Sequence, residues 1–318
     1  MSGLEDARTF IQSLCDRIDG RLFGVREPVR LVLVGILTDA HVLIDDVPGV
    51  GKTTLIRMLA GLLGLRFSRV QFTPDLMPSD ITGTSVLNLR TQEFEFRPGP
   101  IFTEVLLADE INRATPKTQA ALLEAMQERQ VTVDGMTYPL PDPFFVLATQ
   151  NPVELEGTFP LPEAQLDRFI LRVRMGYPEA EEEERILTVG RAGRTLSSAP
   201  LPDAPGLAEL RGMVDRVRLE EPVRHYIVAM ARATRVHPDV QVGASPRAIE
   251  HMGDAARGRA VLFGRDFVLP DDVKALANHL YGHRLVLTTD ARIRDRRVDD
   301  VLEEIVEGVP VPVEFQGA

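Results

Sequence analysis

Apolar positions recur at helical spacing through residues 1–40, at Phe10, Leu14 and Ile18 and again at Val29, Val32, Leu33, Ile36 and Leu37, which predicts helices there. From 41 to 175 the pattern changes to short apolar runs separated by amphipathic stretches. Five runs predict strands, at 41–45, 66–71, 104–109, 144–149 and 169–173. Strands alternating with helices build a parallel sheet covered on both faces. Two hairpins interrupt this order. In the first, Val86, Leu87 and Leu89 are expected to face Phe94 and Phe96 across a turn at 90–92. In the second, 131–133 and 136–138 flank Asp134-Gly135, a dipeptide suited to a two-residue hairpin turn. After Met175-Gly-Tyr-Pro178 the β-branched runs thin out and helices dominate to about 285. Pro178 stops a strand and suits the first turn of a helix. The expected architecture is an α/β core over 1–177, with a five-stranded parallel sheet and hairpin insertions near 73–100 and 131–138, followed by a smaller α-helical domain over 178–318. Residues 197–206 read as a surface loop, and the glutamates at 181–184 as a solvated first helical turn that suits the helix dipole.

Composition narrows the classes of function. The chain has 318 residues, 44% hydrophobic and 26% charged, which excludes general disorder and leaves ample length for an unstapled core. The net charge of −11 argues against nucleic acid or an anionic membrane as the default partner. A local stripe drawn from 33 arginines stays open. One cysteine, Cys15, excludes an intramolecular disulfide framework, fits a reducing compartment and reads as a small apolar residue on the first helix. The first residues carry no basic stretch followed by an apolar run, and the longest apolar runs, such as 31–37, fall far short of a membrane span. The expected location is the cytoplasm, without membrane insertion.

Chemistry begins where the first predicted strand ends. Pro48-Gly49-Val50-Gly51-Lys52-Thr53-Thr54 is a glycine-bearing loop running into a helix that starts near Lys52. Such a loop points backbone N–H groups at a phosphate, and the helix N-terminus adds partial positive charge. Lys52 would reach the outer phosphates and the Thr53 hydroxyl would hold Mg²⁺. The usual pattern starts with Gly where this chain has Asp46. The chain has only three lysines, so a fortuitous Gly-x-Gly-Lys-Thr is improbable. A second apolar strand ends in Asp109-Glu110, 57 residues after Lys52. Carboxylates at the end of a neighbouring parallel strand share the loop's rim. Asp109 would bind Mg²⁺, directly or through water, and Glu110 would polarise the attacking water. No Asn-Lys-x-Asp guanine signature is present, which points to ATP. A third strand ends in Gln150-Asn151-Pro152, where Asn151 either orients that water or serves only as a turn residue. His279 and His283 are four apart and could share a helix face, but no third ligand has metal-site spacing, so they read as helix-surface or core histidines.

Taken together, these segments resemble the MoxR family of AAA+ ATPases. The resemblance spans about 20–310 and rests on 46–53, 99–103 (Gly-Pro-Ile-Phe-Thr), 107–114 (Leu-Ala-Asp-Glu-Ile-Asn-Arg-Ala), 123–126, 148–152 and 161–169 (Leu-Pro-Glu-Ala-Gln-Leu-Asp-Arg-Phe). It implies Asn151 as sensor 1, Arg168 as an arginine finger acting on a neighbouring subunit, and Arg247 as sensor 2. It implies a homo-oligomeric ring, usually a hexamer, with ATP and Mg²⁺ between subunits. Suggested partners are proteins with von Willebrand factor A domains, and suggested roles are metal-cofactor insertion or complex maturation. The hairpins match family insertions, the first suggested to face the ring pore and clients. Residues 281–289 resemble the end of the family's lid, with no chemistry attached to them.

The residues themselves leave alternatives. Arg168 precedes the last strand and could instead pair with Asp167 or Glu163. Ser245-Pro246 reads as an N-cap and a first-turn proline, which puts Arg247 in the first helical turn. A cation there opposes the helix dipole, and a γ-phosphate would reverse that sign. The lid would then close Arg247 onto ATP at the hinge between the domains. Arg113 is a candidate for the subunit interface. Phe94, Phe96 and Tyr138 either grip clients or pack beneath the hairpins. The leading expectation is an ATP-hydrolysing remodelling chaperone acting on protein clients. The alternatives are a DNA-remodelling motor, a magnesium-chelatase-like ATPase subunit and a slow nucleotide-gated scaffold.

Overall fold

The computed structural model describes residues 2–45, 49–151, 157–189, 200–201 and 205–312. The α/β part runs α1 (Ser2–Asp19), α2 (Arg26–Leu37), β1 (His41–Asp45), α3 (Lys52–Leu62), β2 (Phe67–Gln71), α4 (Pro78–Thr82), β3 (Gly83–Asn88), β4 (Glu93–Pro98), β5 (Val105–Asp109), α5 (Pro116–Glu128), β6 (Gln130–Val133), β7 (Met136–Pro139), β8 (Phe145–Gln150), α6 (Glu163–Leu166) and β9 (Phe169–Val173). The helical part follows with α7 (Ala180–Val189), α8 (Leu207–Arg216), α9 (Glu221–Val236), β10 (Val240–Val242), α10 (Pro246–Leu262), α11 (Pro270–Tyr281), β11 (Val286–Leu287), α12 (Thr289–Ile293) and α13 (Val298–Gly308).

All five predicted strands form, each boundary within one residue of expectation, as one parallel sheet ordered β2-β5-β8-β1-β9. Every residue of β5 and the first four of β1 are buried, as strands covered on both faces must be. In-register pairs such as Leu107↔Leu147 and Ile44↔Thr149 bring the carboxyl ends of β5, β8 and β1 to one rim. α1, α2 and α3 cover one face of this sheet and α5 the other. The apolar cluster on the first face continues without a break into α8–α11 and α13, so the lid packs on the covering helices. α2 is therefore buried nearly all round, and its run from Pro28 to Leu37 is apolar on almost every side. α10 approaches it at Gly258, where a Cβ would lie 3.0 Å from the Thr38 methyl and 3.4 Å from Val34.

Both hairpins form, with the turns expected. The first differs in register. Leu87 faces Phe94, but Val86 faces Glu95, and Phe96 lies opposite Ser85, so its apolar residues divide between two faces. Phe96 stacks on Tyr138 of the second hairpin with ring centroids 4.0 Å apart and meets Phe102 edge-on at 5.6 Å. Phe96 and Tyr138 thus pack the hairpins together, whereas Phe94 stays 74% exposed. The short β10–β11 pair was not anticipated, because strands of two or three residues carry no readable period. Cys15 is buried on α1, and burial pushes its thiol up to about 11. The loop expected at 197–206 lies largely outside the described residues.

His41 opens β1 fully inside the sheet. Its Nδ1 accepts the Val146 amide at 3.1 Å, and Nε2 lies 3.2 Å from the Met126 carbonyl, which calls for the neutral ring. Burial, with help from the Arg129 guanidinium, pushes its pKa down to about 3. Below pH 6.5 the unfolded chain takes a proton there that the folded chain refuses. Stability should therefore fall on acidification from about 6.5 toward 3, by about 1.4 kcal/mol per pH unit for this histidine. Urea unfolding of wild type and His41→Gln between pH 7 and 5 checks this, and equal slopes for the two proteins would refute it.

Candidate functional site

The rim is built from the ends of β1, β5 and β8. Past β1, Gly49 and Gly51 have φ of 90° and 91°, a backbone region that favours glycine, and Gly51 turns the chain straight into α3. The first turn of α3 carries no side-chain cap and no acidic residue. Gly51, at the cap position, has no side chain to cap the leading N–H groups, which suits a phosphate. Val50 packs against the core beside this turn. Pro48 and Asp46 lie outside the described residues.

Asp109 ends β5, buried, with both carboxylate oxygens engaged. Oδ2 accepts from Arg69 of β2, at 3.1 Å from Nε and 2.6 Å from Nη2, and Oδ1 accepts the Thr149 hydroxyl at 2.6 Å. The same hydroxyl accepts the Glu110 amide at 2.8 Å, so Thr149 of β8 fixes both acids. Glu110 takes a left-handed φ of 57°, which ends the strand and turns its side chain along the rim. There Oε2 accepts from Gln71 at 2.8 Å and from Arg113 at 3.0 Å. Arg113, a candidate for the subunit interface from sequence, thus grips the second acid. Asn151 follows Gln150 at the same rim, buried, and its carbonyl lies 3.5 Å from the Asn112 amide.

Arg69, Gln71 and Thr149 were not singled out from sequence. Their signal was weak but present: polar side chains at alternate positions of β2, and a buried threonine at the end of an otherwise apolar strand. Only the sheet order puts Gln71 opposite Asp109.

Arg168 and Arg247 lie in two segments that both touch Arg284, through Asp167 and His251. Arg168, half-buried between α6 and β9, lines an open groove with Glu124, Gln127 and Glu128 of α5. Its expected alternative partner Asp167 is taken by Arg284 at 2.7 Å. Ser245 caps α10 through the Ala248 amide at 3.2 Å, and Arg247 stands exposed in that first turn, as expected. His251, one turn on, is held down to about 4 by burial and then by Arg284 and Arg247. His279 of α11 and His283, two residues past its end and so not on the same helix, hold this segment to β9, with ring nitrogens 3.1 Å from the Arg172 carbonyl and 3.0 Å from the Phe169 carbonyl.

A parallel five-stranded sheet with a phosphate loop after β1, an acid pair after β5, a polar residue after β8 and a helical lid defines an AAA+ ATPase. The chain matches the ATPase family associated with various cellular activities (AAA) over 41–171 and the AAA lid domain over 232–305. It is 46% identical to the uncharacterised protein YeaC of Bacillus subtilis over 315 residues, covering 99% of this chain and 98% of that one. It is 42% identical to Chaperone MoxR1 of Mycobacterium tuberculosis (92% and 79% covered) and 32% identical to Protein MoxR of Methylorubrum extorquens (91% of each). A crystal structure from Cytophaga hutchinsonii, described as a candidate ATPase, superposes with a TM-score of 0.88 at 35% identity, covering 97% of both chains. The chain belongs to the MoxR family of AAA+ ATPases.

Thr149 is the test of the rim. Thr149→Val should lower the unfolding free energy by roughly 1–3 kcal/mol, because it leaves a buried carboxylate and amide short of a partner. ATP turnover should fall with it, and Thr149→Ser should restore both. Urea unfolding and phosphate release measure the pair, and wild-type turnover in Thr149→Val would contradict the role.

Proposed function

We propose that the chain is an ATP-hydrolysing remodelling chaperone that works on protein clients as a homo-oligomeric ring, hexameric on the family pattern, with ATP bound between subunits. The observation that carries the reading is the Glu110 carboxylate, held by Gln71 and Arg113 on the same rim as the glycine turn into α3. The N–H groups from Gly49 to Thr54 would cradle the phosphates, and Lys52 would meet the outer ones. The hydroxyl of Thr53 and the carboxylate of Asp109 are the donors for Mg²⁺, oxygen ligands of the hard kind this ion takes. When bound, the ion would neutralise phosphate charge and polarise the terminal phosphoryl group. Glu110 would accept a proton from the attacking water, Asn151 would orient that water, and Arg168 would reach a neighbouring subunit's site.

Protein clients are supported by the hairpins, where Leu87, Leu89, Phe94 and Met136 stand exposed on a surface otherwise rich in acid. Large exposed apolar groups close together mark interaction surfaces. A relative in the family is named a chaperone. Von Willebrand factor A domain partners, and work in complex maturation or metal-cofactor insertion, extend this reading on the family resemblance. No helix among the described residues is long and apolar enough to cross a membrane. We place the protein in the cytoplasm, on its lone buried thiol.

Glu110→Gln should keep ATP affinity and lose roughly 10²–10⁴ in turnover, the usual contribution of a positioned base. Lys52→Ala should lose affinity. Titration with a fluorescent ATP analogue and phosphate release separate the two variants. The Glu110→Gln ring, purified with Mg-ATP beside Lys52→Ala, should retain a specific protein. Retention of DNA instead, lost with salt, would favour a DNA motor.

A further inference from the structure

Residues 281–289 take no part in the chemistry above, yet Arg284 in this segment is buried and densely bonded. Its Nε donates to Asp167 Oδ1 at 2.7 Å, and Nη2 donates to the Phe169 carbonyl at 2.8 Å and to His251 Nδ1 at 2.9 Å. Nη1 reaches the Ile170 carbonyl at 3.2 Å and also the Leu280 carbonyl. Two of these partners are placed tellingly. Asp167 directly precedes Arg168, and its carboxylate leaves Arg168 to face the groove. His251 lies four residues after Arg247, on the same face of α10. A tie between β9 and the end of α11 alone would need neither of them, since main-chain carbonyls, His279 of α11 and His283 just past it already serve it.

We propose that Arg284 is a positioning residue that locks the Arg168 segment of the core and the Arg247 turn of the lid into one unit, presenting both guanidinium groups to the nucleotide of the adjoining subunit. This rests on reading Arg168 as acting in trans. It replaces the expectation that Arg247 closes on ATP in its own subunit. A guanidinium suits the task because its planar fork satisfies several acceptors in fixed directions and keeps its charge. His251 stays neutral at physiological pH, with its ring nitrogen available as the acceptor. Buried charge of this kind contributes little net stability but imposes one geometry.

The test uses the full-length protein and begins with Arg168→Ala. If that variant turns over ATP at the wild-type rate, the trans reading fails and the proposal with it. If it is slow, Arg284→Gln and Asp167→Asn should each lower kcat roughly tenfold or more, since small displacements of a reacting group cost that much. Affinity for a fluorescent ATP analogue should stay within about twofold, because the phosphate loop is untouched. Amide hydrogen exchange should rise together at 165–170 and 246–252. An unchanged kcat, or exchange that rises at one segment only, overturns the lock. Mixed rings then separate positioning from simple damage. Arg284→Gln keeps an intact Glu110, and Glu110→Gln keeps intact arginines. Random equal mixing should therefore recover about a quarter of wild-type turnover in a head-to-tail ring. Mixed rings that assemble but stay inactive overturn delivery in trans. If Arg284→Gln does not fold, Asp167→Asn, altered at a partly exposed side chain, carries the same mixture.

Discussion

The Asp109 carboxylate is pinned from both sides, by the Arg69 guanidinium on β2 and the Thr149 hydroxyl on β8, and the rest of the rim follows from that bond set. A buried carboxylate without partners is prohibitively costly, so three strands must arrive in register for it to be tolerated at all. Thr149 then spends its acceptor lone pair on the Glu110 amide, which fixes where the chain leaves the strand. The left-handed turn at Glu110 swings its side chain back toward β2, where Gln71 waits. Sheet order thus becomes acid geometry. A cation taken up at Asp109 must share that carboxylate with Arg69, so the protein already neutralises in part the charge it would offer a metal.

Packing carries this rim to the rest of the molecule. The apolar cluster on the α2 face contains β1 residues, α2, α3 and the lid helices together. Close-packed interiors transmit strain, so a shift of the lid would be felt along α2 and at the glycine turn before α3. The opposite face is a separate cluster under the hairpins and α5. Core–lid movement and hairpin movement are therefore mechanically distinct, joined through the sheet and the strand ends. Arg284 sits where the lid meets β9, beyond the apolar contact, and supplies the directional bonds that packing alone lacks.

Most of the scaffold was legible from sequence because it depends on local rules. The five strands announced themselves as apolar runs, Gly49 and Gly51 as a turn before Lys52, and Ser245-Pro246 as a helix start. What stayed hidden depends on which strands become neighbours. Gln71 and Glu110 are 39 residues apart, and nothing local pairs them. His41 looked like an ordinary strand residue until the Val146 amide and Met126 carbonyl claimed its ring. Val86 lies opposite Glu95 and not a phenylalanine, because a hairpin's register follows from its turn, which a period-two pattern alone does not fix. Arg284, one arginine among many, gave no sign in composition of its contacts to Asp167 and His251.

The hairpins are two-stranded sheets of their own, tied to each other outside the five-stranded sheet. Stacking of Phe96 on Tyr138 joins two insertions that are far apart in sequence, so the hairpins are held together toward their bases by aromatic area and not by chain connectivity. Phe102, just after the first hairpin, braces the stack from the edge. With the inner aromatics committed to this joint, outer apolar side chains are left in water: Phe94 beside Leu87 on one hairpin and Met136 on the other. Leaving such groups exposed forgoes burial energy of about 25 cal/mol for each Å². A chain that buries α2 on nearly every side has shown that it can cover apolar surface where coverage is needed. The exposed pair at Leu87 and Phe94 is therefore the apolar surface on which the proposed contact with clients rests.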